Sequence, residues 1–149
     1  MDQKAVLNVA RSEGIDYILT ACGDQPLSTM AYVSACLGLP SYLTEDEVRD
    51  LTNKLYMKEK MVKNDIPTSK HICINEDWDK KTMPAFAYPL VVKPVDSNGS
   101  KGVKKVFNSN ELDASLQEAF KYSISKHVII EEFKLGEELS VDIYVEGTN

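Results

Sequence analysis

The stretch VVKPVDSNGSKGV, residues 91–103, passes from an apolar segment into small polar residues and then becomes apolar again. It contains two lysines and two glycines. Phosphate groups are held by backbone N–H donors, which glycines allow to come close together, and by a positive charge that reaches the oxygens. Residues 96–102 supply both features. They match neither GxxxxGK[ST] nor GxGxxG, however, and an ordinary connection between two strands explains them as well.

Lys93 lies at the end of the apolar segment that precedes this loop. If that segment is a buried strand, the Lys93 ammonium projects from a nearly continuous apolar run, where a charge requires an anionic partner. A nucleotide phosphate would be such a partner. A neighbouring carboxylate would be another, and the chain has 23 Asp and Glu residues. The sequence leaves both alternatives open.

The composition places the chain among globular proteins. Its 149 residues suffice for one domain or for two small lobes, with 43% hydrophobic and 27% charged residues. A net charge of -6 argues against a protein that binds nucleic acid through a broad basic face. Three widely spaced cysteines favour reduced thiols, and neither a signal peptide nor a membrane span is evident. We therefore expect a cytoplasmic protein that binds neither nucleic acid nor membranes.

The first forty residues predict helices that alternate with a strand. Apolar residues at positions 6, 7, 9 and 10 indicate an opening helix that stops near Gly14. Residues 15–19 then indicate a short buried strand. After polar residues 22–28, a helix rich in small residues runs from Met30 to a stop at Gly38. Such alternation is typical of a parallel α/β layer.

Two further helices are predicted before residue 67. Thr44 and Glu47 have the spacing of a capping box, so a helix should begin there. Asn53 can cap a second helix, which starts with Lys54 and closes near Asn64. The spacing of this lysine-rich helix also fits an amphipathic surface element, without any binding role.

The second half predicts a β-β-β-α-β lobe. Short strands are indicated at residues 71–74, 90–93 and 103–107, with a polar, proline-containing loop between the first two. Asn110 then caps a helix, and a further strand follows at residues 127–133. Alternating apolar and polar residues indicate one more half-buried strand at 139–145.

The connector after residue 130 carries four glutamates near a turn. A strand that leads into a short connector can present backbone N–H and C=O groups to the edge of a base. A carboxylate seven residues after Glu131, at Glu138, can accept hydrogen bonds from ribose hydroxyls. A solvated acidic rim is the alternative that the pattern alone favours.

Taken together, Lys54, Lys93, the 96–102 loop and the 131–138 segment resemble the nucleotide-binding half of an ATP-grasp protein. They are most similar to the group that includes the carbamoyl-phosphate synthase large chain, biotin carboxylase and D-alanine:D-alanine ligase. The resemblance implies an α/β fold with an α+β lid. It divides the chain into a partial pre-ATP-grasp α/β lobe with linking helices (1–66), a lid of antiparallel strands plus a helix (67–133), and the first strand of a C-terminal lobe (134–149).

The resemblance also implies roles for individual residues around ATP. Lys54 would reach the α- or β-phosphate, and Lys93 would also contact phosphates. Glu131 would accept from the adenine amino group and Glu138 would hold the ribose. The flap that closes over the phosphates would consist of Ser97, Asn98, Gly99, Ser100, Lys101 and Gly102, and the backbone lining the adenine would come from Glu132, Phe133 and Lys134.

Two residues depart from the family's usual pattern. Asn53 stands where the family has aspartate before the first lysine, and asparagine caps a helix equally well. Asp65 stands where the family has glycine in a Gly-Ile-Pro segment. It must therefore adopt the backbone conformation of that glycine, which aspartate tolerates at modest cost.

The family's Mg²⁺ ligands and acceptor-binding residues lie on strands beyond the equivalent of Val145. We therefore expect this chain to be a fragment that binds ATP weakly or not at all and is inactive alone. The parent protein is expected to use ATP and Mg²⁺ to activate a carboxylate, or bicarbonate, as an acylphosphate for attack by an amine or another nucleophile. The alternative is a non-catalytic nucleotide-binding or interaction module.

Overall fold

The computed structural model of the chain describes residues 2–21, 23–141 and 143. Four helices precede a lobe in which strands and one more helix alternate. The helices are α1 (Gln3–Glu13), α2 (Asp24–Leu37), α3 (Glu45–Thr52), α4 (Lys54–Lys63) and α5 (Ser109–Tyr122), and the strands are β1 (His71–Asn75), β2 (Leu90–Pro94), β3 (Lys104–Val106) and β4 (His127–Glu132). A short 3-10 helix occupies Lys80–Thr82. No helix among the described residues is long and apolar enough to cross a membrane.

Helices α1 and α2 pack on each other around Leu7, Ala10 and Val33. Both end where the sequence predicts, at Gly14 and Gly38, which adopt left-handed backbone angles (φ 60° and 66°). Glycine carries no Cβ to oppose this conformation, so the chain can leave each helix sharply.

Two predictions for this region are wrong. Residues 15–19 form no strand, because a strand requires a hydrogen-bonded neighbour and no described segment runs beside them. Helix α2 begins at Asp24, earlier than the predicted Met30. The charge of Asp24 favours a helix N-terminus, and Pro26 is tolerated in the first turn because its missing N–H would have no intrahelical partner there.

The predicted caps of α3 and α4 are confirmed. The Thr44 N–H donates to Glu47 Oε2 at 2.8 Å and the Glu47 N–H donates to Thr44 Oγ1 at 3.2 Å, which completes a capping box. Asn53 Oδ1 accepts from the Leu55 N–H at 3.0 Å and starts α4. After α4, Asp65 has the left-handed backbone (φ 55°) expected at the family's glycine position.

The β-β-β-α-β lobe is confirmed as a four-stranded antiparallel sheet in the order β1-β4-β2-β3. Helix α5 packs on one face of this sheet. Its cap is Asn108 rather than the predicted Asn110, because Asn108 Oδ1 accepts from the N–H groups of Asn110 and Glu111 at 3.1 and 3.3 Å. The helix therefore starts two residues before the prediction.

The sheet has one apolar face and one face that carries charge. Because side chains alternate along a strand, Leu90 and Val92 point to α5 while Val91 and Lys93 point to the opposite face. The apolar face forms a core with α5 that contains Ile74, Leu90, Val92, Val106, Leu112, Leu116, Ala119, Val128 and Ile130. The other face carries Lys93 and Glu131 and meets α4.

The predicted strand at 139–145 lies partly outside the described residues. Residues 139–141 form no strand within the described part, and position 142 and positions 144–149 are not described. The division of the chain into three parts, with a C-terminal lobe from residue 134, therefore stays a prediction.

Substitution of Gly102 should destabilise the fold more than substitution of Gly99. Both glycines have positive φ (73° and 64°), so alanine carries a backbone penalty of ~1–2 kcal/mol at either site. A Cβ at Gly102 would also lie 2.9 Å from Pro94 Cγ and from Tyr122 Cδ2, whereas a Cβ at Gly99 meets nothing within 4 Å. Urea unfolding should place Gly102→Ala a further ~1–3 kcal/mol below Gly99→Ala. Equal losses would contradict this packing.

Candidate functional site

Two predicted phosphate-binding lysines lie beside the loop that follows β2. Lys54 is the first residue of α4, and its Nζ donates to the carbonyl oxygen of Ser97 at 2.6 Å. Lys93 lies near the end of β2, next in the chain to that loop. The structure thus brings together the two lysines and residues 97–102, which we call the flap.

Positive charge is concentrated around Lys54. Burial is the largest cause that lowers the pKa of Lys54, and the positive charge of Lys93 lowers it further. The carboxylates of Asp96 and Asp24 act in the opposite direction without reversing the shift. Two ammonium groups that disfavour each other in this way provide a place where an anion would relieve the repulsion.

The flap is a tight turn that connects the antiparallel strands β2 and β3. Ser97 Oγ donates to the Lys101 carbonyl oxygen at 3.2 Å, and the Val103 N–H donates to the Ser100 carbonyl oxygen at 3.2 Å. Ser100 has a positive φ of 57°, as do both flap glycines. The interpretation as a strand connection is therefore correct, and it is compatible with a phosphate-binding role.

Asp96 anchors the base of the flap. Its Oδ1 accepts from Ser123 Oγ at 3.0 Å and from the Ile124 N–H at 3.1 Å, and its Oδ2 accepts from the Ser125 N–H at 2.7 Å. Burial acts to raise the pKa of Asp96, but these hydrogen bonds outweigh it and the pKa is lowered. Sequence reasoning did not single out this residue, because its partners follow α5.

Glu131 is the charged centre of the site. It lies on β4 and is only 7% exposed. Its Oε1 accepts from Lys93 Nζ, while its Oε2 contacts Lys58 Nζ at 2.7 Å and accepts from Ser69 Oγ at 2.9 Å. The anionic partner of Lys93 in this structure is therefore a carboxylate, which is one of the two partners that the sequence left open.

Lys58 is a site residue that sequence reasoning missed. It was assigned to a helix that could be a surface element, yet it is 5% exposed. Its ammonium donates to Thr68 Oγ1 at 2.9 Å and to Ser69 Oγ at 3.0 Å, besides contacting Glu131. Its position one helical turn after Lys54 was the available signal, because residues four apart lie on the same face of a helix.

Lys58 and Lys93 together determine the protonation state of Glu131. Burial is the largest influence on the pKa of this carboxyl and acts to raise it. The hydrogen bonds and positive charges of Lys58 and Lys93 act together in the opposite direction, so the pKa is lowered. Glu131 is accordingly a carboxylate at neutral pH.

A cleft of about 420 Å³ adjoins this centre. The predicted adenine and ribose residues all line it, together with Val91 of β2. They are Glu131, Glu132, Phe133, Lys134 and Glu138. The Lys105 ammonium lies 3.5 Å from the centre of the Phe133 ring and covers that ring.

The described residues contain no cluster of metal-binding side chains. Within this part of the chain, no three His, Cys, Asp or Glu side chains are grouped so that they could hold a metal ion. The requirement of the parent protein for Mg²⁺ therefore stays a prediction from the resemblance.

The chain is similar to known ligases in sequence and in fold. The family model described as "D-ala D-ala ligase C-terminus" matches residues 61–149. The D-alanine--D-alanine ligase of Lacticaseibacillus casei is 34% identical over 91 residues, which is 61% of this chain and 25% of that protein. The phosphoribosylamine--glycine ligase of Pyrococcus horikoshii is 31% identical over 149 residues, covering 95% of this chain and 34% of that protein.

The solved structures include a D-alanine--D-alanine ligase from Bacillus anthracis with 25% identity and a TM-score of 0.73. It aligns with 91% of this chain, which corresponds to 45% of that one. The same ligase has been solved in complex with ATP, at 24% identity and a TM-score of 0.73.

The fold and the family match together define an ATP-grasp protein, as the sequence predicted. The chain belongs to the D-Ala–D-Ala ligase C-terminal family. It spans about a quarter of the length of the D-alanine--D-alanine ligase from L. casei and about a third of the P. horikoshii relative.

Removal of the Glu131 carboxylate should destabilise the chain strongly. Glu131→Ala leaves the buried Lys58 ammonium without its anion, which typically costs ~3–5 kcal/mol. Asp113→Ala is the matched control, because Asp113 and Lys80 form a pair of similar length (2.8 Å) on the exposed surface, where ~1 kcal/mol or less is expected.

Urea unfolding followed by circular dichroism measures both losses. The double variant Lys58→Met/Glu131→Ala removes the cation as well and should recover most of the stability lost in Glu131→Ala. If the double variant is no more stable than Glu131→Ala, an uncompensated buried charge is not the cause.

Proposed function

We propose that this chain forms the nucleotide-binding wall of an ATP-dependent ligase. The observation that carries the proposal is an arrangement along one face of β2 and β4. Lys54, Lys93 and the flap lie toward one end of this face, and the cleft lined by residues 131–134 and Glu138 lies toward the other. An adenine nucleotide has the same order of parts, with phosphates at one end and a base at the other.

At the phosphate end, the chain supplies charge and N–H donors. Lys54 and Lys93 would neutralise phosphate oxygens, and the flap would present its backbone N–H groups to them. In the proposed reaction a substrate carboxylate oxygen attacks the γ-phosphorus, the bond to the ADP oxygen breaks, and an acylphosphate forms. An amine or another nucleophile then attacks the acyl carbon and displaces phosphate. Catalysis of such a transfer is mostly positioning and charge stabilisation.

At the base end, two backbone N–H groups at the end of β4 are already used in hydrogen bonds within the chain. The N–H groups of Glu132 and Phe133 already donate to the carbonyl oxygens of Lys70 and Pro89 at 3.0 Å each. The adenine edge would therefore meet carbonyl groups of this segment and the N–H of Lys134. Glu131 would accept from the adenine amino group, and Glu138 would hold the ribose hydroxyls.

The substrate class is proposed from the names of the relatives. Each of the two curated relatives is named for joining an amino acid, D-alanine or glycine, to a second molecule. This supports an amino-acid carboxylate as the group to be activated and an amine as the acceptor. Activation of bicarbonate, as in carbamoyl-phosphate synthase, stays a prediction from the sequence resemblance, as does the requirement for Mg²⁺.

The cellular setting follows from the same proposal. A ligase that consumes ATP would work in the cytoplasm, where that nucleotide is supplied. Cys36 and Cys73 carry free thiols, which is the usual state of cysteine in that compartment.

ATP should perturb two separate groups of backbone amide signals in the nuclear magnetic resonance spectrum of the ¹⁵N-labelled chain. Of the two outcomes that the sequence left open, weak binding or none, the assembled lysines, flap and cleft favour weak binding. Titration to millimolar ATP is therefore expected to shift the amides of the flap and those of Phe133 and Lys134. Lys93→Ala should weaken binding about tenfold or more, because a charge-assisted hydrogen bond to phosphate is lost. The control is Lys80→Ala, which alters an exposed lysine paired with Asp113.

Two results would contradict the proposal. One is the absence of any shift at both groups of amides in the wild-type chain. The other is an equal effect of Lys93→Ala and Lys80→Ala, which would show that ATP is attracted by net charge alone rather than by a site.

A further inference from the structure

Lys58 and Lys93 hold the same carboxylate but differ in how firmly they are held themselves. An ammonium has three N–H donors. Lys58 uses them on Thr68 Oγ1, Ser69 Oγ and Glu131 Oε2, at distances between 2.7 and 3.0 Å. Because every donor has an acceptor and the side chain is only 6% exposed, we expect Lys58 to stay in contact with Glu131.

Lys93 is held less firmly. Its side chain is 19% exposed, and the structure gives it one acceptor among the described residues, Glu131 Oε1. Two of its N–H donors thus remain for water or for a ligand. Lys93 also lies near the second cation, Lys54, so an anion placed between them gains from both charges.

This asymmetry matters because the proposed nucleotide and Glu131 compete for Lys93. If Lys93 turns to a phosphate, Glu131 loses the partner of Oε1. The carboxylate would then be a buried and uncompensated charge unless another cation remained beside it. Lys58 is such a cation, and its contact with Oε2 does not depend on Lys93.

We infer that Lys58 is a positioning residue of the proposed nucleotide site: it keeps the Glu131 carboxylate in place and charge-balanced when Lys93 leaves it for a nucleotide phosphate. The inference rests on the proposed function. Lys58 itself touches no nucleotide. It makes Lys93 available for the phosphate, and it frees Oε1 of Glu131 to accept from the adenine amino group.

The consequence is a specific dependence between two lysines that do not contact one another. Without Lys58, Lys93 becomes the cation that must stay with Glu131. Lys93 is then no longer available to bind a phosphate. Loss of Lys58 and loss of Lys93 should therefore weaken ATP binding through the same cause. Their effects should be less than additive, whereas independent contributions would add.

The test measures dissociation constants for ATP by amide-shift titration of the ¹⁵N-labelled chain. Lys58→Met should weaken ATP binding about tenfold or more, the scale of one lost charge-assisted hydrogen bond. Lys60→Met is the matched control, because Lys60 lies on the same helix but is exposed and paired with Asp50 at 2.9 Å. It should bind ATP as the wild type does. In the Lys58→Met background, Lys93→Ala should cause a much smaller further loss than in the wild type.

A second variant separates this role from a contribution to folding. In Lys58→Met/Glu131→Gln no carboxylate retains Lys93, and the glutamine amide oxygen can still accept from the adenine amino group. ATP binding should therefore be clearly tighter than in Lys58→Met. A purely structural role for Lys58 predicts no recovery. If Lys58→Met proves unfolded by its amide spectrum, the double variant decides, since it leaves no unpaired buried carboxylate and only the partly exposed Lys93 ammonium. ATP binding close to that of the wild type then supports the inference, and loss of binding in the folded double variant overturns it.

The outcomes separate the inference from the proposed function. If the wild-type chain binds no ATP, both are overturned. If Lys93→Ala weakens ATP binding but Lys58→Met binds like the wild type, or the two losses simply add, the proposed function stands and the inference is wrong.

Discussion

The Glu131 carboxylate, held from one side by Lys58 and from the other by Lys93, links helix α4 to the open face of the sheet. A carboxylate buried at this depth is tolerated only when it is paired and hydrogen-bonded. Ser69, in the segment between α4 and β1, adds a further hydrogen bond. One charged group thereby determines how the helix, the connecting segment and two strands meet.

The sheet can carry this charge because its other face provides the apolar core. Leu90, Val92, Val128 and Ile130 are fully buried against α5, and this packing does not depend on the charged face. The division follows from the alternation of side chains along each strand. A strand with apolar residues on both faces would have left no room for Lys93 beside the flap.

The proposed nucleotide site of this chain is thus distributed along one surface instead of being concentrated in one motif. The flap takes its shape from three residues with positive φ and from the anchor at Asp96. The cleft takes its shape from the segment after β4, whose N–H groups are partly used to hold it to Lys70 and Pro89. The proposed phosphate-binding and base-binding parts therefore rest on separate parts of the backbone, and the carboxylate of Glu131 lies between them.

The amino-acid sequence by itself determined the local features and the family. The capping box at Thr44, the helix stops at Gly14 and Gly38, and the β-β-β-α-β order of the lobe were predictable because their signals lie within a few residues. The order of lysines, flap and glutamates along the chain was enough to indicate an ATP-grasp protein. The prediction of a strand at residues 15–19 was wrong, because a strand depends on a neighbouring strand that short-range patterns do not reveal.

Only the tertiary structure decided which charges meet. Lys93 and Glu131 are 38 positions apart in the sequence, and Ser69 and Glu131 are 62 apart. The burial of Lys58, the partner of Lys93 and the anchoring of the flap by Asp96 all follow from the packing of α4 and α5 on the sheet. Electrostatic pairing depends on distance in space and on exclusion of water, and the local pattern of residues predicts neither.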